Sequence, residues 1–259
     1  MLSSISTCFN LVRRDMHVFW PTFFDRFING TIWVVLTVVI FQYVFPQMGM
    51  SEDYAVFMAC ANCMTWGFFE VMGNVAILVS DLTGPRSIDY DLTLPLPQWL
   101  VFTRLAISNA LQAMAIALFI LPISKLVLWQ QFSFATISFG KFSVIFVLGN
   151  IFYGFFSLWL ASITKNMDAI TNVWMRVVFP LWWVGGYQFS WGTMNKMAPW
   201  FAKLTLLNPL VYAFEGIRAS ILGQGEFINV WHCAGALIIA SIIVGYIGTK
   251  KMMARLDCV

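Results

Sequence analysis

Long apolar runs separated by short polar segments dominate this sequence. A run of about 20 mostly apolar residues is long enough to cross a bilayer as an α-helix. The pattern predicts six such runs, at residues 27–45, 54–79, 102–121, 142–163, 170–189 and 230–247. Pro46, Pro122 and the polar segment 164–168 separate some of them. The sequence therefore predicts an all-α membrane protein with six transmembrane helices.

The first 20 residues have a different pattern. From Ile5 to Trp20 apolar residues recur at helical spacing, and Arg14 and His17 fall on the other side until Pro21 interrupts the pattern. This spacing predicts an N-terminal amphipathic helix at the membrane interface, over residues 1–20. Because charged residues stand where a signal peptide needs its apolar centre, we expect the segment to stay in the mature protein.

Residues 190–229 are too polar to span a membrane and too apolar to be freely solvated. Irregular backbone is tolerated at membrane depth only where protein or a water-filled cavity surrounds it. We therefore expect an extracytoplasmic re-entrant region of short helices before the last span. The whole chain, 1–259, is interpreted as a single transmembrane domain.

The composition supports a membrane protein and indicates its orientation. Hydrophobic residues make up 60% of the chain and charged residues 10%, against about 45–50% and about 25% in soluble domains. A net charge of +3 leaves no basic surface for nucleic acid. Ten of the fifteen Lys and Arg fall on the side that would carry both termini. Since cytoplasmic loops carry the excess of basic residues, both termini are predicted to be cytoplasmic.

Motifs for catalysis are missing from the sequence. It has no phosphate-binding loop, no His-Glu-x-x-His zinc pair and no Gly-x-Ser-x-Gly nucleophile elbow. We therefore expect neither ATP hydrolysis nor another enzymatic activity in this chain. Cys60 and Cys63 lie in an apolar segment without a neighbouring His or acidic residue, which favours packed thiols over a metal or redox site.

The polar segment at residues 80–98 carries three Asp, one Arg and three Pro. A Gly84-Pro85 turn precedes the charged residues, and Pro95 and Pro97 follow them. The segment is either a solvated turn between two helices or a rigid loop whose charges pair with a soluble partner.

The order of these elements resembles the permease family of the type-2 ABC exporters. Residues 88–97, IDYDLTLPLP, are similar to that family's cytoplasmic coupling segment. Residues 207–218, LNPLVYAFEGIR, are similar to the Asn-Pro stretch that precedes its last span. The resemblance covers nearly the whole chain.

The resemblance implies a bacterial inner-membrane dimer, of two identical or two paired permeases, bound to two separate ATPase subunits. ATP and Mg would bind in those partners, with no cofactor and no metal in this chain. The residues that would then face the ATPase are Arg13, Arg14, Asp15, Asp81, Arg86, Asp89 and Asp91. Attraction to anionic lipid head groups is an alternative role for the two N-terminal arginines.

A second set of residues is predicted to line or gate the translocation path. Glu70 and Asn74 are expected to face inward, as structural or path-lining groups, because intramembrane charges are costly. Aromatic residues near the outer end of the fifth span are either interfacial anchors or walls for a sugar or lipid. The helix after Pro209 is either locally satisfied, with Glu215 and Arg218 paired at i, i+3, or an outer gate. The full set is Glu70, Asn74, Trp182, Trp183, Tyr187, Asn208, Glu215 and Arg218.

Together these features predict export of a hydrophobic or amphipathic substrate by alternating access in a dimer. A lipid, a glycolipid, a lipid-linked polysaccharide or a drug would fit. A self-contained channel or secondary carrier is the main alternative, and a membrane enzyme acting on lipids is another. A carrier would be expected to have more acidic residues in its spans, and a lipid enzyme clustered His or Asp at one leaflet.

Overall fold

The computed structural model describes residues 2–51 and 53–257, without the side chains of residues 2–5 and 257. The side chain of Ile5 and all of Cys258 lie outside this description. The helices in chain order are α1 (Leu2–Phe19), α2 (Phe23–Val39), α3 (Tyr54–Thr83), α4 (Ser87–Thr93), α5 (Gln98–Ala117), α6 (Ile120–Val127), α7 (Phe139–Ile163), α8 (Ile170–Val173), α9 (Phe179–Val184), α10 (Trp191–Met197), α11 (Pro199–Thr205), α12 (Pro209–Ile221) and α13 (Val230–Asp257).

Five helical stretches of the described chain are long and apolar enough to cross a membrane. They contain α2, α3, α5 with α6, α7, and α13, so they match five of the six predicted spans. The first stretch runs from Ser6 to Met48, because α1 continues into α2 through the 3₁₀ turn Trp20–Thr22 that holds Pro21. The all-helical membrane fold is therefore confirmed.

The predicted fifth span forms an irregular helix over residues 167–184. It consists of the 3₁₀ turn Met167–Ala169, α8, a widened π-turn at Trp174–Val178, and α9. It is not among the five stretches of the described chain that are long and apolar enough to cross a membrane. Pro180 follows the π-turn and cannot donate a backbone hydrogen bond to the preceding turn, which explains the irregularity. Gly186, at φ 88°, lies in the turn after α9, so the predicted end at residue 189 was wrong.

Other helix boundaries also differ from the sequence prediction. α3 continues to Thr83, and α13 continues ten residues beyond residue 247. The charged tail that follows the last apolar run is therefore helical. Pro122 lies in the first turn of α6 instead of ending a span, where its missing N–H leaves no helical bond unmade.

α3 and α7 form the centre of the bundle, and α5 and α13 pack on α7. Gly154 of α7 lies against the backbone of α5, where a Cβ atom would come within 2.1 Å of the Ala106 carbonyl oxygen. Small residues allow such close approach between helices in membranes. A larger residue at position 154 would separate α5 from α7.

The carboxyl ends of α3, α7 and α13 lie at the same end of the bundle. Phe68 of α3 contacts Tyr153 of α7 with ring centroids 5.3 Å apart, and further along both helices Val75 and Leu160 line one small pocket, so α3 and α7 run in the same direction. Arg255, near the end of α13, donates hydrogen bonds to the carbonyl oxygens of Ala161 and Thr164, each at 2.6 Å. We call this the α4 end, because α4 directly follows α3, and we call the opposite end, with α10 to α12, the α12 end.

Candidate functional site

A cluster of charged residues joins three helices at the α4 end. Arg104 of α5 is 1% exposed and donates to the carboxylates of Asp15 in α1 and Asp91 in α4. Arg14 also reaches Asp91, at 3.2 Å, and the Ser108 hydroxyl donates to Asp15 at 2.7 Å. We call these five residues the Arg104 cluster. A buried charge is tolerated when it is paired and hydrogen-bonded, as it is here.

Apolar contacts reinforce the same junction. Leu11 of α1, Leu96 and Val101 pack into one small buried cluster beside the charges. Because Leu11 and Asp15 lie one turn apart, α1 presents one apolar and one acidic group to α5 on the same face. The helix is thus fixed to α5 by both kinds of contact.

The Arg104 cluster changes the interpretation of three predicted ATPase-facing residues. The structure brings Arg14, Asp15 and Asp91 together, but it points Asp15 and Asp91 into the protein, with side chains 16% and 8% exposed. These two carboxylates are therefore not on the surface that a partner would contact. Arg104 was not among the sequence candidates, although it is the only charged residue in α5.

The remaining residues of the polar segment are divided between local structure and surface. Asp81 accepts hydrogen bonds from the backbone N–H groups of Ser87 and Ile88, at 2.9 and 3.1 Å, and so fixes the start of α4. Arg86 pairs with Asp89 at 2.9 Å. The side chain of Asp89 is 43% exposed, and Tyr90 is 66% exposed. Arg13 is also exposed, so Arg13, Asp89 and Tyr90 form the outward surface at this end.

A second ion pair lies deeper in the bundle. Arg26 of α2 donates to Glu70 of α3, and also to the Asn74 amide oxygen at 3.4 Å. Asn74 in turn donates to Gln112 of α5 at 3.2 Å. Glu70 and Asn74 are both buried. Arg26 was missed because the first predicted span begins one residue after it.

Replacing Glu70 separates structural from functional roles of this ion pair. We expect Glu70→Ala to lower the unfolding free energy by about 3 kcal/mol, because a partly buried guanidinium loses its partner. A melting curve in detergent would measure the loss. The double change Arg26→Gln with Glu70→Gln should recover most of it. Wild-type transport by both Glu70→Gln and Glu70→Ala would remove any functional role for the carboxylate.

Arg218 holds the turn that follows α9. Its guanidinium donates to the carbonyl oxygens of Gly186, at 2.6 Å, Tyr187, and Phe189, at 3.2 Å. The guanidinium also lies 3.6 Å from the centre of the Phe57 ring. The side chain is fully buried. Arg218 thus connects α12, α3 and the turn at residues 186–189.

Glu215 has a separate structural role, so the predicted i, i+3 ion pair is only marginal. The nearest Glu215 and Arg218 atoms are 4.0 Å apart. The Glu215 carboxylate instead accepts backbone hydrogen bonds from Trp191, at 2.9 Å, and Ile228, at 3.1 Å. Each residue therefore fixes a different loop around α12.

The other predicted gate residues also take part in packing at the α12 end. Asn208 accepts from the Leu210 N–H at 3.1 Å, which caps α12, and donates to the Leu181 carbonyl at 2.6 Å. Trp182 and Tyr187 are buried and donate to side chains of α3, Thr65 at 3.2 Å and Asn62 at 2.9 Å. Trp183 is 39% exposed. Of the three aromatic candidates, it alone has a large accessible surface.

Comparison with known proteins identifies the family. The model of the ABC-2 type transporter family matches residues 7–222. This chain belongs to the ABC-2 type transporter family. The chain is 24% identical, over 238 residues, to the inner membrane transport permease YadH of Escherichia coli K12, and the match covers 82% of this chain and 87% of that protein. The same figures hold for the Shigella flexneri protein of that name. The chain is therefore a non-catalytic membrane subunit of an ABC transporter.

Proposed function

We propose that this chain is the permease of an ATP-driven exporter in a bacterial inner membrane. Two copies would pair with two ATPase subunits and move a hydrophobic or amphipathic substrate by alternating access. The observation that supports this proposal best is the Arg104 cluster, which joins α4 to α5 and α1. An ATPase that moves α4 would then move these helices together.

The cluster is suited to transmit movement because its contacts are short-range and buried. Charge-assisted hydrogen bonds are roughly twice as strong as neutral ones. Packed elements with such contacts shift as units instead of deforming continuously. In this proposal the ATPase docks on Arg13, Asp89 and Tyr90, and the buried carboxylates of Asp15 and Asp91 pass the movement on.

The spans favour an amphipathic substrate over a small ion. An ion needs compensating charges or carbonyl groups along its route. Within α3, Glu70 is the one acidic residue away from the helix end, and Arg26 already neutralises it. A secondary carrier needs acidic residues in its spans for coupling ions, so the neutralised Glu70 also counts against a carrier. Cytoplasmic termini are part of the proposal and rest on the basic residues at the α4 end.

Co-purification from the native host tests the ATPase partnership. We expect a tagged chain to retain an ATPase subunit, and Asp89→Ala with Tyr90→Ala to retain about tenfold less, as for an interface contact worth about 1.4 kcal/mol. Lys196→Ala is the matched control, since Lys196 is a charged side chain, 67% exposed, at the opposite end of the bundle. Transport by the isolated chain without ATP would refute the exporter and favour the carrier.

A further inference from the structure

A cavity of about 670 Å³ lies at the α4 end, between α1, α2, α3, α4 and α5. It extends along α5 from Arg104 to Gln112, which at 1.5 Å per residue is about 12 Å. Its volume falls within the range of small-molecule sites, about 300–1,000 Å³. The cavity is thus large enough for a lipid head group.

Its shallow end, nearest α4, carries an excess of negative charge. Three carboxylates, Asp15, Asp81 and Asp91, line this end together with two guanidinium groups, Arg14 and Arg104. The Asp81 carboxylate accepts hydrogen bonds from Ser87 and Ile88, but it has no basic partner within residues 2–51 and 53–257. One negative charge is therefore left without a cation, and this end favours a positively charged group.

The deep end instead offers hydrogen-bond donors. Arg26 donates through Nη1 alone, so its Nη2 and Nε have no acceptor in the part of the chain that the structure describes. Gln112 uses its oxygen for Asn74, which leaves its amide N–H groups available. These groups can donate to phosphate oxygens. Glu70 balances the charge of Arg26, so a phosphate would bind mainly through hydrogen bonds.

The side walls are apolar, and two of their residues reach the protein surface. Val18 of α1 and Ile77 of α3 line the cavity and are 71% and 59% exposed. In a chain that spans a membrane, exposed aliphatic residues at this position contact lipid. Acyl chains can therefore leave the cavity between α1 and α3 while the head group stays inside.

We propose that this cavity binds the head group of a zwitterionic aminophospholipid from the leaflet at the α4 end. Its phosphate would accept hydrogen bonds from Arg26 and Gln112, and its primary ammonium would donate to the acidic shallow end, at Asp81. The phosphate at the deep end and the ammonium at the shallow end match the orientation of a lipid in that leaflet, whose phosphate lies deeper than its ammonium. A quaternary ammonium cannot donate those hydrogen bonds, and an anionic head group has no cation for Asp81. Lipid binding at this site requires only that the chain lies in a membrane, and it does not require that the chain is an exporter.

Lipid retention measures this selectivity. The full-length protein would be placed in nanodiscs with equal parts of phosphatidylethanolamine, phosphatidylglycerol and phosphatidylcholine, extracted in mild detergent, and analysed for bound lipid by quantitative mass spectrometry. We expect phosphatidylethanolamine to be retained about tenfold over the other two, a difference of about 1.4 kcal/mol. Equal retention of the three lipids would overturn the proposal.

Two variants locate the site. Ile77→Trp fills the mouth of the cavity, so it should abolish specific retention and the preference with it. Asp81→Asn keeps an acceptor oxygen but removes the charge that selects a primary ammonium, so it should abolish the preference as well. Leu36→Trp is the matched control, because Leu36 is 57% exposed on α2 and does not line the cavity. The proposal fails if the Leu36 variant loses the preference as well, or if both cavity variants retain it while melting like wild type.

A second experiment distinguishes two roles of the bound lipid, transported cargo and resident lipid. With the ATPase present, ATP-dependent transfer of labelled phosphatidylethanolamine to the other leaflet identifies the lipid as cargo. Retention without transfer identifies a resident lipid, and either outcome keeps the site. ATP hydrolysis measured in the same samples shows whether the exporter proposal fails while the lipid site is retained.

Discussion

Arg104→Met is expected to lower the stability of the α4 end more than any other single change there. The substitution keeps most of the side-chain volume but leaves the buried carboxylates of Asp15 and Asp91 with only the half-exposed Arg14 as a cation. Removing one partner of a buried ion pair costs about 3–5 kcal/mol. A melting curve in detergent, followed by tryptophan fluorescence, would show the loss as a lower midpoint.

A triple variant tests whether charge is the cause. Asp15→Asn and Asp91→Asn remove the two carboxylates that have lost their buried cation. Adding them to Arg104→Met should restore much of the stability, because replacing a buried ion cluster is often nearly neutral. Arg86→Met is the matched control, since its pair with Asp89 is partly exposed and such pairs contribute about 0–1 kcal/mol. Equal losses for Arg104→Met and Arg86→Met would contradict the assigned role of the Arg104 cluster.

The coupling role predicts a further difference between these variants. Asp89 and Tyr90 remain at the surface when the Arg104 cluster is neutralised, so the triple variant should still bind the ATPase. If buried charge–charge contacts transmit the movement, however, it should transport more slowly than wild type. Binding and transmission are thus assigned to different residues of the same segment.

Hydrophobic periodicity was sufficient to predict most of the helices. Lipid-exposed and buried positions in a span are both apolar, so the length of each apolar run marks a crossing. The same property hides the helix ends, because α3 and α13 continue past the membrane as amphipathic or charged helices. The irregular helix at residues 167–184 depends on Pro180 and Gly186, whose effects on helix geometry and length do not appear in hydropathy.

The sites were harder to predict than the helices because charges find partners across the fold. Arg104 lies 89 residues from Asp15, and Arg26 lies 44 residues from Glu70. The sequence identified Glu70 as a costly intramembrane charge that should face inward, whereas Asp15 and Asp91 were assigned to the ATPase surface through the family resemblance. The sequence gave no means to choose the arginine that pairs with each acid.

At the α12 end, Arg218→Met is expected to have the largest effect. The three carbonyl groups at residues 186, 187 and 189 lose their donor, and each unsatisfied buried acceptor costs about 1–3 kcal/mol. We therefore expect a loss on the order of 4 kcal/mol in the unfolding free energy. Arg218→Lys should recover only part of it, because a single ammonium cannot reproduce the fork of the guanidinium.

Limited proteolysis would show where the loss acts. Without Arg218 the turn at residues 186–189 should become cleavable, while the cavity at the α4 end should keep its lipid preference, since the two regions share no contact residues. Lys196→Met is the control at the same end: its pair with Glu226 is about two-thirds exposed on both sides, and such a pair contributes about 0–1 kcal/mol. If Arg218→Met melted like Lys196→Met yet stopped transport, Arg218 would act in gating and not in holding the turn.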